Sequence, residues 1–259
     1  MKNESIDALI IDSFLTTKQI GRKISVFSEL ESTNTYAKNL THPRQGETVI
    51  ATTQTKGRGR QGKIFFSPEN SGLYLSVVLD ISTDGFNPGL ITSCVAVAVA
   101  HAIEEVAPVT AQIKWINDIY INRKKVCGIL AEAVPLEGGT ALGRIVLGIG
   151  INVKKVKFPK ELGNIATSIE NECDETVSIN LLAAKVLNRL EEELENMHTL
   201  KFLEENRKRS IVIGREITVI KKGEPMPAKA IGIDDNGYLW VLINGKEEKL
   251  TGGEISIKL

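Results

Sequence analysis

The glycine-rich segment at residues 57–62 limits the folds open to this chain, because strand patterns lie close on both sides of it. β-branched and aromatic residues predict strands over residues 48–55 and 72–79. The Gly-x-Gly-x-x-Gly spacing is that of a dinucleotide-binding turn, which needs a crossover helix between parallel strands. Only nine residues separate the last glycine from the second strand, and Pro68 is one of them. A crossover of ten or more residues does not fit, so this turn is not expected.

Three other interpretations of the segment remain. It can be a flexible hairpin loop, or an arginine-glycine contact to nucleic acid. It can also be a loop whose glycines let backbone amides approach a ligand, and there Arg58 and Arg60 suit a substrate with carboxylate and phosphate groups. The chain has 32 basic and 32 acidic residues. We therefore expect no net basic field that would hold nucleic acid or an anionic membrane surface.

The first two thirds of the chain alternate between helix and strand signals. A short helix is expected within residues 5–18 and a strand at 24–27, and Ser32-Thr33-Asn34 reads as the capped start of a second helix. Residues 88–106 predict a helix that is apolar nearly all round and therefore buried.

Three strand-like runs follow, at residues 112–121, 125–134 and 144–153, and the last two are separated by a turn at Gly138-Gly139. Leucines, Val186 and Met197 recur at helical spacing in one long helix over 179–206. We expect an α+β fold with a mixed or antiparallel sheet flanked by helices.

After Ser210 the pattern changes to short strands with tight turns. These strands are expected at residues 217–220, 228–233, 238–243 and 246–250, the last two joined by Asn244-Gly245. The pattern predicts a small C-terminal β-barrel. The expected division is a main domain over 1–210 and a barrel over 211–259.

The cysteines and the N-terminus indicate the compartment. Cys94, Cys127 and Cys173 are odd in number and far apart, which suits neither a disulfide framework nor a metal-binding or redox pair. The N-terminus lacks the pattern of a signal peptide, and the apolar run at residues 90–103 is short and interrupted by polar residues. A cytoplasmic, soluble protein is expected, and the histidines share no metal-ligand spacing.

Five sequence elements in order resemble those of the biotin protein ligase family. They are Ser32-Thr33-Asn34, Gln54-Thr55-Lys56-Gly57-Arg58-Gly59-Arg60-Gln61-Gly62, Lys114-Trp115-Ile116-Asn117-Asp118, Lys125-Val126-Cys127-Gly128-Ile129-Leu130-Ala131-Glu132 and Gly148-Ile149-Gly150-Ile151-Asn152. The joint match is far more specific than any one element. Two departures are visible: Ile116 replaces a common proline, and Phe65 or Phe66 stands where tryptophan is common.

The resemblance implies a fold and an activity. The fold is a class II synthetase-like main domain followed by an SH3-like β-barrel. The activity is a ligase that forms biotinyl-5'-AMP from biotin and ATP, with Mg²⁺, and transfers biotin to a lysine of the biotin carboxyl carrier protein domain of a carboxylase. The chain begins close to Ser32, so the short form without an N-terminal DNA-binding domain is expected. A homodimer is compatible with the family.

The ureido ring of biotin has a carbonyl acceptor and two N–H donors, and it needs fixed polar partners. Ser32, Thr33 and Gln54 have suitable groups, although Ser32 equally suits simple helix capping. The biotin-binding residues that we predict from the resemblance are Ser32, Thr33, Asn34, Gln54, Arg58, Gly59, Arg60, Lys125 and Gly128.

Joining a carboxylate to a phosphate brings two anions together, and cations must offset their repulsion. The resemblance implies that Lys125 contacts the biotin carboxylate and the α-phosphate, although Lys125 could also be a solvated turn lysine. The predicted catalytic residues are Arg58, Lys125 and Asp118, with Asp118 as orienter or base unless it only pairs with Lys114. The predicted ATP-binding residues are Arg58, Arg60, Lys114, Asn117, Lys125 and Asn152, and no metal ligand is predicted.

Three other functions fit these sequence elements less well. A lipoate or octanoate ligase shares the fold and the acyl chemistry, but it usually has a different glycine-rich signature. A non-enzymatic sensor of biotin or nucleotide would not need Arg58 and Lys125 together. An NAD-dependent oxidoreductase would need the crossover helix that the spacing denies.

Overall fold

The computed structural model describes residues 4–80, 87–135, 142–221 and 223–257. Within those ranges the chain forms two sheets and six α-helices. The first sheet contains β1 (Ile24–Leu30), β2 (Thr48–Gln54), β3 (Gly72–Asp80), β4 (Gln112–Lys114), β5 (Asp118–Ile121), β6 (Lys124–Pro135) and β7 (Leu142–Asn152). The second contains β8 (Glu216–Lys221), β9 (Glu224–Ile233), β10 (Leu239–Ile243), β11 (Lys246–Leu250) and β12 (Glu254–Ser256). The helices are α1 (Ala8–Ser13), α2 (Thr33–Lys38), α3 (Pro88–Val106), α4 (Ile169–Cys173), α5 (Ile179–Glu195) and α6 (Lys201–Arg209).

The first sheet is mixed, as predicted. Its strand order is β1-β2-β3-β7-β6-β5-β4. β1 and β2 are parallel, and every other described pair is antiparallel. β2 and β3, which flank the glycine-rich segment, are therefore antiparallel neighbours, and the crossover required by a dinucleotide fold is absent from this part of the described chain.

One face of the first sheet packs on α3 and α5 to form the main core. The alternate residues of β3 and β7 that point to this face are aliphatic, such as Leu73, Leu75, Ile149 and Ile151, and all are buried. Asn87 caps α3 and Pro88 occupies its first turn, which are the expected helix-start signals. α3 has the length and mean hydropathy (1.5) of a membrane span, but most of it is buried inside the protein. It serves as the predicted core helix.

Two predicted elements are divided in the structure. The run at 112–121 is a hairpin of β4 and β5, because Trp115 and Ile116 leave the sheet and pack into the hydrophobic core of the C-terminal part. The Trp115–Ile116 peptide bond is cis. The helix predicted over 179–206 ends at Glu195 and resumes at Lys201, because Leu200 adopts the left-handed conformation with φ 57°. Periodicity alone does not show such a break.

The C-terminal sheet has the antiparallel order β11-β10-β9-β8-β12 and its own hydrophobic core. Asn244 and Gly245 both have positive φ, as the two-residue hairpin turn requires. The final strand, β12, was not predicted, since it has only three residues. Trp115 Nε1 donates a hydrogen bond to the carbonyl of Gly237 at 3.0 Å and so connects the two sheets. The predicted turn at Gly138-Gly139 lies outside the described residues.

Candidate functional site

The second face of the first sheet forms the floor of a cleft. Across β3, β7 and β6, Tyr74 lies in register with Gly150 and Gly128, and Ser76 lies in register with Gly148. Alternating residues of a strand share one face, so these glycines leave space above the sheet. A Cβ at Gly148 would lie 2.3 Å from Asn34 Oδ1, and one at Gly150 would lie 2.7 Å from the Phe65 ring. The glycines therefore let other side chains lie directly on the backbone.

The cleft has a volume of about 600 Å³. Every residue predicted for the site lines it, although the residues come from five separate stretches of the chain. Those residues are Ser32, Thr33, Asn34, Gln54, Arg58, Gly59, Arg60, Lys114, Asn117, Asp118, Lys125, Gly128 and Asn152. The structure thus brings the five sequence elements to one place, and the chemical roles of the residues remain predictions.

The glycine-rich segment folds back on itself over the cleft. Phe65 N–H donates to the carbonyl of Gly57 at 2.9 Å, and Gly59 N–H donates to that of Lys63 at 2.7 Å. A Cβ at Gly57 would lie 2.4 Å from the Phe65 carbonyl oxygen, so only glycine permits this approach. The segment is therefore a structured loop between antiparallel strands, and it carries Arg58 and Arg60 to the cleft.

The two arginines of this loop have partners on other elements. Arg58 lies 3.2 Å from a carboxylate oxygen of Glu132, and Arg60 donates to Asn117 Oδ1 at 3.2 Å. Asn117 is held in turn, because its Nδ2 donates to the carbonyl of Ile129 at 2.9 Å. The loop is thereby connected to the turn after β4 and to β6.

Lys125 is paired and positioned inside the cleft. Its Nζ lies 2.7 Å from Asp118 Oδ1, and its side chain is 28% exposed. Its backbone N–H donates to the carbonyl of Ile165 at 2.8 Å, which fixes the start of β6. The alternative of a solvated turn lysine does not describe this contact.

The partner of Asp118 is thus Lys125, and Lys114 instead lies over the Tyr120 ring, with Nζ 5.8 Å from the ring centroid. Burial raises the pKa of Tyr120, and the charge of Asp118 raises it further. This tyrosine therefore stays a neutral wall of the cleft at physiological pH.

Ser32 does cap α2, since its side chain accepts from the N–H of Thr35. It also lines the cleft, so the two interpretations of this serine are compatible. Gln54 Oε1 accepts from the backbone N–H of Thr33 at 2.9 Å, and Gln54 Nε2 donates to Ser67 Oγ at 3.1 Å. These contacts fix the orientation of the Gln54 amide beside the Thr33 hydroxyl.

The polar groups that support Thr33 and Asn34 from below were not identified as part of the site from the sequence. The Ser76 hydroxyl lies 2.8 Å from Thr33 Oγ1 and 2.6 Å from Asn34 Oδ1, and Asn34 Nδ2 donates to Glu132 at 2.9 Å. Burial tends to raise the pKa of Glu132, but hydrogen bonds from Lys38 and Asn34 outweigh it and hold that pKa below its usual range. The period of two along β6 from Gly128 to Glu132 is the signal that could have identified this carboxylate.

The far end of the cleft is lined by residues from two further regions. Asn152 is buried at the end of β7, and its Nδ2 donates to the carbonyl of Thr167 at 3.0 Å. Residues around β12, namely Gly253, Ile255, Ser256 and Ile257, also line the cleft. The C-terminal sheet therefore contributes to a cleft whose predicted site residues all lie in the main domain.

No group of three or more histidine, cysteine, aspartate or glutamate side chains is arranged to hold a metal ion among the residues that the structure describes. His101 lies between two carboxylates, at 3.7 Å from Glu193 and 3.8 Å from Glu205. This arrangement lies on α3, away from the cleft.

Comparison with protein families gives two matches. Residues 26–152 match the profile of the Biotin/lipoate A/B protein ligase family, and residues 212–258 match that of the Biotin protein ligase C terminal domain. All five sequence elements of the cleft, from Ser32 to Asn152, fall inside the first match.

Comparison with individual proteins agrees with the profiles. The chain is 32% identical over 252 residues to the Bifunctional ligase/repressor BirA of Bacillus subtilis, which covers 94% of this chain and 76% of that protein. It is 28% identical over 219 residues to the Biotin--[acetyl-CoA-carboxylase] ligase of Mycobacterium tuberculosis, covering 81% and 78%. Among solved structures, the biotin protein ligase from Aquifex aeolicus in complex with biotin and ATP has a TM-score of 0.80 at 27% identity, covering 91% of this chain and 98% of that chain.

Proposed function

The chain belongs to the biotin protein ligase family, and we propose that it forms biotinyl-5'-AMP from biotin and ATP and then transfers biotin to a lysine of a biotin carboxyl carrier protein domain. One observation carries this proposal: the cleft places Arg58 and Lys125 beside the fixed polar set of Thr33 and Gln54. A cleft with cations at one part and ordered hydroxyl and amide groups at another suits a ligand with a carboxylate at one end and a ureido ring at the other.

In the first step, a carboxylate oxygen of biotin attacks the α-phosphorus of ATP and pyrophosphate leaves. The repulsion between these two anions is the main obstacle, and Arg58 and Lys125 are the cations we assign to offset it. Lys125 is assigned to the charge that develops on the phosphorus oxygens in the transition state. Its ion pair with Asp118 supports this role, because the pair restricts where the ammonium group can lie.

Biotin recognition is assigned to the polar groups of α2 and β2. Thr33 and Gln54 supply acceptor and donor groups for the ureido ring, while Ser32 and Asn34 line the same part of the cleft. Gly59 and Gly128 are assigned to close backbone approach. Arg60, Lys114, Asn117 and Asn152 are assigned to the nucleotide, which is supported by their position along the cleft wall.

In the second step, the neutral amine of a carrier lysine attacks the acyl carbon of the adenylate, and AMP leaves. An ordinary lysine has a pKa near 10.4, so the amine must lose a proton before it attacks. Asp118 is our candidate to orient the amine or to accept that proton. Its contact with Lys125 favours the orienting role, because the carboxylate oxygen that faces the ammonium group is already engaged.

Mg²⁺ is proposed to accompany ATP. The described residues contain no carboxylate cluster for a metal, which suits an ion held mainly by nucleotide phosphates and water.

We further propose a cytoplasmic location, supported by three free cysteines. The proposed division into a main domain over 1–210 and a second domain over 211–259 is supported by two separate sheets, although Trp115, Ile116 and Tyr120 of the first part belong to the hydrophobic core of the second.

The test is biotin-dependent exchange of pyrophosphate into ATP, followed by transfer to a purified carrier domain, with lipoate offered in parallel. Exchange and transfer with biotin alone are expected, and both should stop when EDTA removes Mg²⁺. Acylation with lipoate alone would replace the proposal with a lipoate ligase. Binding of biotin without exchange would leave a sensor as the function.

A further inference from the structure

Glu132 lies behind the cleft wall, and both of its carboxylate oxygens are engaged. Its Oε1 lies 2.8 Å from Lys38 Nζ and 3.2 Å from Arg58, and its Oε2 accepts from Asn34 Nδ2 at 2.9 Å. The side chain is only 17% exposed. Two cations at one oxygen keep the carboxylate ionised, so it can act only as an acceptor toward Asn34.

An ionised Glu132 sets the direction of a chain of hydrogen bonds. Because Asn34 turns its Nδ2 to Glu132, its Oδ1 must accept the single hydroxyl proton of Ser76, 2.6 Å away. Ser76 Oγ can then only accept at its 2.8 Å contact with Thr33 Oγ1. The Thr33 hydroxyl also lies 3.2 Å from Gln54 Oε1, which can only accept. It therefore donates into the protein, to Ser76 or to Gln54, and keeps both of its lone pairs for the cleft.

We infer that Glu132 is a positioning residue for biotin, which acts through Asn34 and Ser76 to hold the Thr33 hydroxyl as an acceptor for a ureido N–H. This inference rests on the proposed function and deepens it. Ser76 is the intermediate member, although it belongs to none of the five sequence elements. Neither Glu132 nor Ser76 lines the cleft, so each acts through other residues.

The substitution Glu132→Gln removes the charge of this side chain and keeps its size and shape. If the new amide accepts from Asn34, its own NH₂ group faces Lys38 and Arg58, where only donors are present. If it accepts from Lys38, its NH₂ group faces Asn34, which must flip and present its own NH₂ to Ser76. Ser76 would then donate to Thr33 and occupy one of its two lone pairs. The Thr33 hydroxyl would have to give its proton to Gln54 and would have a single lone pair left for biotin. Either arrangement weakens recognition.

The experiment measures biotin affinity by calorimetry and the separate KM values for biotin and ATP in pyrophosphate exchange. We expect Glu132→Gln to weaken biotin binding and raise the biotin KM by roughly ten-fold or more, with a smaller rise in the KM for ATP because Glu132 also contacts Arg58. Ser76→Ala should have a similar effect. The double variant should be no weaker than the weaker single variant, because both break one chain.

The matched control is Glu105→Gln. Glu105 also joins two cations, Lys185 and Arg189, but it lies on α3, on the opposite side of the sheet. This variant should lose stability without losing biotin affinity. Wild-type biotin affinity in Glu132→Gln, or additive losses with Ser76→Ala, would overturn the inference alone. A wild-type protein that neither binds biotin nor exchanges pyrophosphate would overturn the proposed function, and the inference with it.

Discussion

Nζ of Lys125 lies 2.7 Å from Oδ1 of Asp118, across the pairing of β5 with β6. The two residues are seven positions apart in sequence, and the β5–β6 turn brings them together. The contact fixes a cation at the wall of the cleft, beside Gly128, where the absence of a side chain leaves Lys125 Nζ room. The geometry suits a lysine that meets an anionic ligand in a defined place.

Lys125→Ala should reduce biotin-dependent pyrophosphate exchange by about a hundred- to a thousand-fold, the loss typical of one electrostatic donor. The neighbouring Lys124→Ala is the control, because Lys124 does not line the cleft. Exchange assays at saturating substrates test this prediction. Equal activity in the two variants would remove Lys125 from the proposed chemistry.

Asp118→Asn should slow adenylate formation and the transfer step by similar factors. The physical reason is that the substitution removes the charge that restrains Lys125, and Lys125 is assigned to an anionic group present in both steps. Single-turnover transfer from preformed biotinyl-AMP, compared with exchange, separates the two steps. A loss confined to transfer would instead make Asp118 the base that accepts the lysine proton.

Gly148→Ala should abolish tight biotin binding and destabilise the protein by roughly 1–3 kcal/mol, because overpacking forces neighbours to move. The added Cβ would lie 2.3 Å from Asn34 Oδ1, so Asn34 cannot keep its place. Gly232→Ala in β9 is the control, since a Cβ there meets no atom within 4 Å. Biotin titrations and denaturant unfolding of both variants provide the measurement, and equal behaviour would contradict the prediction.

Glu191→Gln should lower the free energy of unfolding at neutral pH, and its effect should vanish in acid. Glu191 accepts from the backbone N–H groups of Lys18, Gln19 and Ile20. Burial tends to raise the pKa of Glu191, but these hydrogen bonds outweigh it and lower that pKa from 4.5. A carboxylate with a lowered folded pKa stabilises the protein above its unfolded pKa, and this contribution is lost as pH falls through the folded value.

Urea unfolding of wild type and Glu191→Gln at a series of pH values from 7 to about 3 tests this pH dependence. The stability difference should be constant near neutrality and should shrink below pH 4.5, the ordinary value for glutamate. The exposed neighbour Glu192→Gln should show a much smaller difference. A constant difference for Glu191→Gln across the whole range would show that its charge does not matter.

Much of the fold and the site follows from local patterns in the sequence. The cap at Ser32, the helix start at Pro88 and the turn at Asn244-Gly245 were predicted because each depends on neighbouring residues only. The short interval between the predicted strands at 48–55 and 72–79 excluded a crossover for the same reason. The site residues predicted from the five sequence elements also proved to line one cleft.

Tertiary structure decided the rest, because a strand's period of two shows which residues share a face but not what covers that face. Only the pairing of β3 with β7 places Ser76 in register with Gly148, on which Asn34 lies, and only the pairing of β7 with β6 sets Gly148 opposite Leu130, two residues from Glu132. The contribution of β12 to the cleft likewise depends on contacts between distant segments. The sequence alone determined the reactive groups, and long-range packing determined which groups hold them in place.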